Sequence, residues 1–472
     1  MKTKAIRVTS FLFVFVMIAT LFSGCNKNEP EYSEYSIIEE IPGATSGNNN
    51  SDTSSGTDSA DNKVDASNTN SGTNSSASKN TDGAVNPADY KGTTVKYATW
   101  QYADGIDTDA AIERFRKKYG INVEIVTVPQ ETYIQEVTAL INAGNAPDVV
   151  RDWDYWPSFL TIAQPLENAK IDLSDSIWDK DSLEYRKLNG KHYGLTSVGG
   201  LFKGSKNIVF YNKKLLNSHG IKTPEDYKNI GKWNFDAVHQ IAKSAAAIGK
   251  GYYGIYAEGY GSTMACSYGT DLFKYSNGKF SIGTSDPNLI SMWQTITEWN
   301  KEGLYTDLRS DFIDSKCGLA VATLYGLKKS GFWREMNSKD IGYIEMPEFN
   351  GQQPQPTVGT YFFGIGKGAK NPVAAGIFLR YYLDVNNYDI NSEFISSDAA
   401  NFAVKTSSSL SGNTFYSANN GVCVANGISI KKYYQTLFNT DPSQISQTLQ
   451  SMSNELNSYA KNAQKMLDSY AN

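Results

Sequence analysis

Residues 142–156 read NAGNAPDVVRDWDYW, and this stretch decides the fold class. The residues before it, 131–143, carry Ile134, Val137, Leu140 and Ile141 at the spacing that lines one face of a helix. Gly144 and Asn145 stop that helix, since both enter the left-handed conformation at low cost. Pro147 blocks its resumption. Asp148, Val149 and Val150 then begin a short buried strand of the parallel kind. Past the strand come Arg151, Asp152, Trp153, Asp154, Tyr155 and Trp156. Ligands of open α/β sheets sit beyond the carboxyl ends of strands. These side chains are therefore either a binding rim, or core aromatics with solvated charges; the stretch alone leaves both open.

Upstream, alternating residues at 94–99 and 122–128 predict two strands around a helix at 107–119, with Ile112, Phe115 and Tyr119 on one side and Gly120 as its stop. Strand-helix-strand-helix at this spacing implies parallel pairing. The loop after the first strand, with Trp100 and Asp104, should then share an edge with residues 151–156.

The amino-terminal part differs in kind. Lys2, Lys4 and Arg7 precede an apolar run at 10–22 that is short for a spanning helix, as in a secretory signal. It ends in Phe22-Ser23-Gly24-Cys25, which resembles a bacterial lipobox, with Phe22 where an aliphatic residue is usual. That resemblance implies cleavage before Cys25 and a diacylglyceryl group on its sulfur. Residues 43–83 are almost all small or polar, without an aromatic ring, and cannot bury enough apolar surface to order. The expected layout is a signal at 1–24 and a lipidated cysteine with a disordered tether at 25–89. Some sixty such residues reach about 45 Å.

Charge and cysteine usage exclude several function classes. The net charge is −5 with no basic block, which gives no support to nucleic-acid binding. Cys266, Cys317 and Cys423 are widely spaced, as are the three histidines, so no metal-ligand spacing is present and no cofactor is expected. Residues 364–368, GIGKG, lack the spacing of a dinucleotide fingerprint or a P-loop and read as a turn before a helix capped by Asn371. Asn234 and Asp286 are further cap candidates, and residues 443–470 carry the apolar spacing of a long amphipathic helix.

Several separated stretches together resemble the extracellular solute-binding proteins of ABC importers, in particular the carbohydrate-binding group that includes maltodextrin-binding proteins. They are AGNAPDVV, the GKHYGL segment at 190–195 with Thr196 in place of a proline, FYNKKLL at 210–216, WNFD at 233–236, Glu258-Gly259-Tyr260, GYIEMP at 342–347, Gly359 and KNPVAA at 370–375. The resemblance covers roughly residues 92–385. It implies an α/β protein of two lobes, periplasmic-binding-protein-like, with a hinge and an interlobe ligand cleft. One lobe is expected from 90–200 plus 348–385 and the other from 205–342 plus 390–472, with crossings near 198–207, 341–347 and 384–389. It further implies a monomer without catalysis of its own, held at the outer face of a bacterial membrane, that delivers a sugar to permease subunits.

Sugars present apolar faces to aromatic rings and hydroxyls to carboxylates, amides and arginine. The candidate ligand residues are Trp100, Asp104, Arg151, Asp152, Trp153, Asp154, Glu258, Tyr260, Tyr325, Trp333 and Tyr361, with Trp156 beside them. Trp293 and Trp299, at helical spacing, read as core. Two alternatives remain: a surface-tethered glycoside hydrolase or lyase using paired carboxylates such as Asp152 and Asp154, or the same fold carrying a peptide or another polar solute.

Overall fold

The computed structural model describes residues 85–100, 108–198, 207–355, 361–408 and 418–471. The signal segment, Cys25, the tether up to residue 84, Asp104 and Gly359 lie outside the described residues.

The first sheet starts with β1 (Thr94–Thr99), followed by α1 (Thr108–Tyr119), β2 (Asn122–Thr127), α2 (Tyr133–Asn142), β3 (Val149–Trp153) and the short β4 (Ala163–Gln164). β1 pairs parallel with both β2 and β3. The helices form where the sequence places its apolar spacing, and α2 buries Val137 of that spacing together with Tyr133, which the spacing omits. Its hydroxyl donates to the Ala98 carbonyl at 2.7 Å and accepts from the Arg151 backbone N–H at 2.9 Å. It thereby ties the ends of β1 and β3 together. Asp148 performs the same task at the other end, accepting from the backbone N–H groups of Lys96 and Asn371.

The second sheet begins with β5 (Asn207–Asn212), buried at every position. Then come α3 (Phe235–Ala246), β6 (Tyr253–Ala257), the hairpin β7 (Phe273–Ser276) and β8 (Lys279–Ile282), α4 (Pro287–Lys301), β9 (Tyr305–Thr306), β10 (Cys317–Thr323) and β11 (Ile341–Glu345). The strand order is β9-β6-β10-β5-β11, with β5 antiparallel to β10 and β11. β12 (Tyr361–Gly366) returns to the first sheet, antiparallel between β3 and β4, and α5 (Pro372–Tyr382) follows it.

One expected crossing is displaced. Residues 341–347 do not leave the second sheet: β11 is its edge strand, the Phe349 ring lies 4.7 Å from that of Phe235, and the Gln355 N–H reaches the Ser267 carbonyl. The chain changes sheet between Gln355 and Tyr361. The first change falls between Val198, bonded to Ile177, and Asn207, the first residue of β5.

The rest of the chain is α6 (Ser397–Ser408), α7 (Asn419–Asn426), α8 (Lys431–Phe438) and α9 (Ile445–Ala471). Ile445, Leu449, Leu456, Ala460, Ala463 and Leu467 form the buried stripe of α9. This helix packs against α7, β8 and α4. Trp293 and Trp299 of α4 are buried.

Candidate functional site

The parallel pairing of β1 and β3 puts their carboxyl ends on one edge of the first sheet. The antiparallel register of β12 sets Tyr361 directly opposite Trp153. Three rings therefore meet at this edge. Trp100 and Trp153 have centroids 6.4 Å apart, Trp100 and Tyr361 6.3 Å, and Trp153 and Tyr361 6.2 Å. Trp153 and Tyr361 are half-buried, while Trp100 is 8% exposed and braced edge-on by Tyr133. The result is a partly open aromatic platform with a packed base.

The charged candidates around it are not on the rim. Alternation along β3 sends Arg151 and Asp152 to opposite faces, and both are fully buried. The Arg151 guanidinium carbon lies 4.3 Å from the Trp100 centroid and 3.9 Å from that of Tyr361. On the other face, Asp152 and Asp154 both pair with Arg186, at 2.6 and 3.1 Å. Arg186 in turn lies over Phe362 at 4.0 Å, Tyr185 at 4.7 Å and Trp156 at 5.2 Å. Asp152 also accepts the Tyr155 N–H. Burial pushes both carboxyls above the ordinary range, against the pull of Arg186. The reading of Arg151, Asp152 and Asp154 as ligand contacts gives way to an interior role. Arg186 was missed because its only sequence signal is a lone arginine beside Tyr185.

The second-sheet candidates divide. Trp333 is 1% exposed, wedged among Phe210, Tyr256 and Phe312 with centroids 4.6–6.2 Å away. It is core, and its reading as a ligand residue is corrected. Tyr325 is half-buried, with its hydroxyl on the Ser330 carbonyl and its ring against Phe332. Glu258 and Tyr260 follow β6 at the carboxyl edge of the second sheet and are half-buried. Tyr260 has a positive φ of 57° and packs on Phe438. Two surface recesses, of about 530 and 410 Å³, lie at α3 and at β8–α9, and none of these strand-end residues lines either. Among the described residues no group of three or more His, Cys, Asp or Glu is arranged to hold a metal ion.

A model of the family described as bacterial extracellular solute-binding protein matches residues 102–385. This chain belongs to that family. Its fold is shared by solved solute-binding proteins of two lobes. One is an extracellular solute-binding protein from Staphylococcus aureus in complex with maltose, at 16% identity and TM-score 0.59, covering 79% of this chain and 98% of that one. Another is an ABC transporter solute-binding protein from Thermotoga lettingae bound with α-D-tagatose, at 14% identity and TM-score 0.57, covering 78% and 100%. A third is the galacto-N-biose/lacto-N-biose I-binding protein of the Bifidobacterium longum ABC transporter, at 14% identity and TM-score 0.56, covering 78% and 97%. No curated protein sequence matches the chain. The family is an extracellular one, and no helix among the described residues is long and apolar enough to cross a membrane.

Proposed function

We propose that this family member captures a sugar or oligosaccharide on the Trp100–Trp153–Tyr361 platform and delivers it to ABC permease subunits, anchored to the membrane through Cys25. The observation that carries the reading is the set of rings at the carboxyl edge of the first sheet, two of them half-buried. Flat apolar rings complement the C–H faces of a sugar. Glu258 and Tyr260, at the matching edge of the second sheet, and Asp104 are proposed to supply polar contacts. The sugar complexes among the solved relatives support the same ligand class. The hydrolase alternative loses its best pair, since Asp152 and Asp154 are buried on Arg186 rather than open to a glycosidic bond.

Thermal unfolding of the purified protein against mono- and oligosaccharides, amino acids and peptides tests this reading. A ligand at 100 times its Kd stabilises the native state by about 2.7 kcal/mol. One sugar class should raise Tm and remain intact after incubation. W153A should weaken that sugar by roughly tenfold, about 1.4 kcal/mol. Turnover of the sugar overturns the binding-only reading, and a silent sugar panel with a peptide response overturns the cargo.

A further inference from the structure

The platform is built over a buried positive charge. Arg151 is fully buried, yet its guanidinium lies against two rings, 4.3 Å from the Trp100 centroid and 3.9 Å from that of Tyr361, with Phe363 at 5.6 Å. Its position is fixed from several directions. The backbone N–H is held by the Tyr133 hydroxyl, and Nη1 reaches Thr99 Oγ1 at 3.4 Å. The strand register places Phe363 opposite it. Tyr133 also braces Trp100 edge-on at 5.3 Å, so one side chain holds both the arginine and one ring.

An apolar side chain would occupy this space without the desolvation that a guanidinium suffers. What the arginine adds is orientation. A planar cation attracts the faces of neighbouring rings. The planes of Trp100 and Tyr361 stand 58° apart, so the guanidinium stacks on at most one of them, and its contact with both centroids sets their tilt and the gap between them. Trp153, in ring contact with both, inherits that geometry. A ligand stacking on a ring needs the plane fixed before it arrives, since ordering an aromatic side chain on binding would weaken affinity.

We infer that Arg151 is a positioning residue that pre-sets the aromatic platform from beneath without itself touching ligand. The inference rests on the platform being the ligand site. Its first test uses the free protein, which keeps it separable from the sugar reading. R151M keeps an unbranched side chain but is shorter by the guanidinium end and loses the charge, whereas R151K keeps the charge and loses the planar fork. Near-ultraviolet circular dichroism should show the tryptophan bands of R151M reduced by about half, with R151K between R151M and wild type. In a W153F background the R151M change should shrink. Maltose, titrated by tryptophan fluorescence, should bind R151M at least tenfold more weakly and R151K within about threefold of wild type.

Wild-type bands in R151M overturn the inference whatever maltose does. Altered bands with an unchanged maltose Kd overturn the functional half of it. Equal losses in R151M and R151K, tracking equal losses in urea midpoint, reduce Arg151 to a structural filler and also overturn it. If wild type ignores maltose and every other sugar, the proposed cargo fails, and the free-protein spectra still decide whether Arg151 sets the rings.

Discussion

A single guanidinium, that of Arg186, faces two buried carboxylates. Asp152 has the shorter contact, at 2.6 Å, and the Tyr155 N–H besides. Asp154 has a 3.1 Å contact and the Tyr185 hydroxyl at 3.5 Å. One positive charge offsets one negative charge, so the second carboxylate bears the cost of burial. Burial raises both carboxyls, and it pushes Asp154 from 3.8 up to about 7. The folded state therefore holds this proton more tightly than the unfolded chain does. Between about pH 4 and pH 7 the contribution to stability falls as pH rises, by at most about 1.4 kcal/mol per pH unit. D154N keeps a hydrogen-bonding side chain and removes the proton. Urea unfolding at several pH values should show wild type losing stability relative to D154N from pH 5 to pH 7; parallel curves would refute the assignment. The residue types of this cluster were visible at 151–154. Their partner lies 32 residues beyond Asp154, and no local pattern tells a rim aspartate from a buried one.

Elements were more legible than single contacts, because capping and apolar spacing are local. Asn234 caps α3 by accepting the Ala237 N–H at 3.0 Å, and Ala237, Val238, Ile241, Ala242 and Ala245 form the buried face behind it. N234A should therefore lower stability by about 1 kcal/mol, read from the urea midpoint. Sugar affinity should stay at the wild-type value, since the cap is not among the platform residues; a binding defect would place α3 nearer the site than described. Asp286 caps α4 in the same way. Asn371 stands at the cap position of α5, but its amide goes to the Thr94 carbonyl instead, an interaction across 277 residues that no cap rule contains. The displaced crossing has a similar cause. IGYIE at 341–345 forms the edge strand, and what keeps the following residues on the second sheet is Phe349 packing on Phe235 and Tyr268. The long carboxyl-terminal helix was readable from its stripe, whereas α7 and α8 have only 8 residues each and owe their places to neighbours distant in sequence.

At the scale of the whole fold, the carboxyl-terminal side of the first sheet in this family member meets the β7–β8 hairpin, α7 and α9 along a seam. The Tyr275 ring of β7 stands 5.2 Å from that of Tyr185 and 6.5 Å from that of Trp156. Ser158 Oγ reaches Met466 Sδ of α9 at 3.7 Å. The closest approach is at Gly421 of α7, where an added Cβ would lie 1.8 Å from the Trp156 carbonyl oxygen and 3.2 Å from that of Asp154. α7 is held to β7 by the Ala418 N–H on the Phe273 carbonyl and by the Asn419 side chain on the Phe273 N–H. A methyl group at Gly421 therefore has to move this assembly away from the end of β3, the strand that carries Trp153. Lobes that close on a ligand by hinge motion depend on such contacts being available in the closed state. G421A should shift the population toward the open state, raising the radius of gyration in X-ray scattering and weakening sugar binding at least tenfold, with the W153A platform effect still present on top of it. An unchanged scattering profile together with an unchanged Kd would mean that α7 yields locally and that the seam has no part in closure.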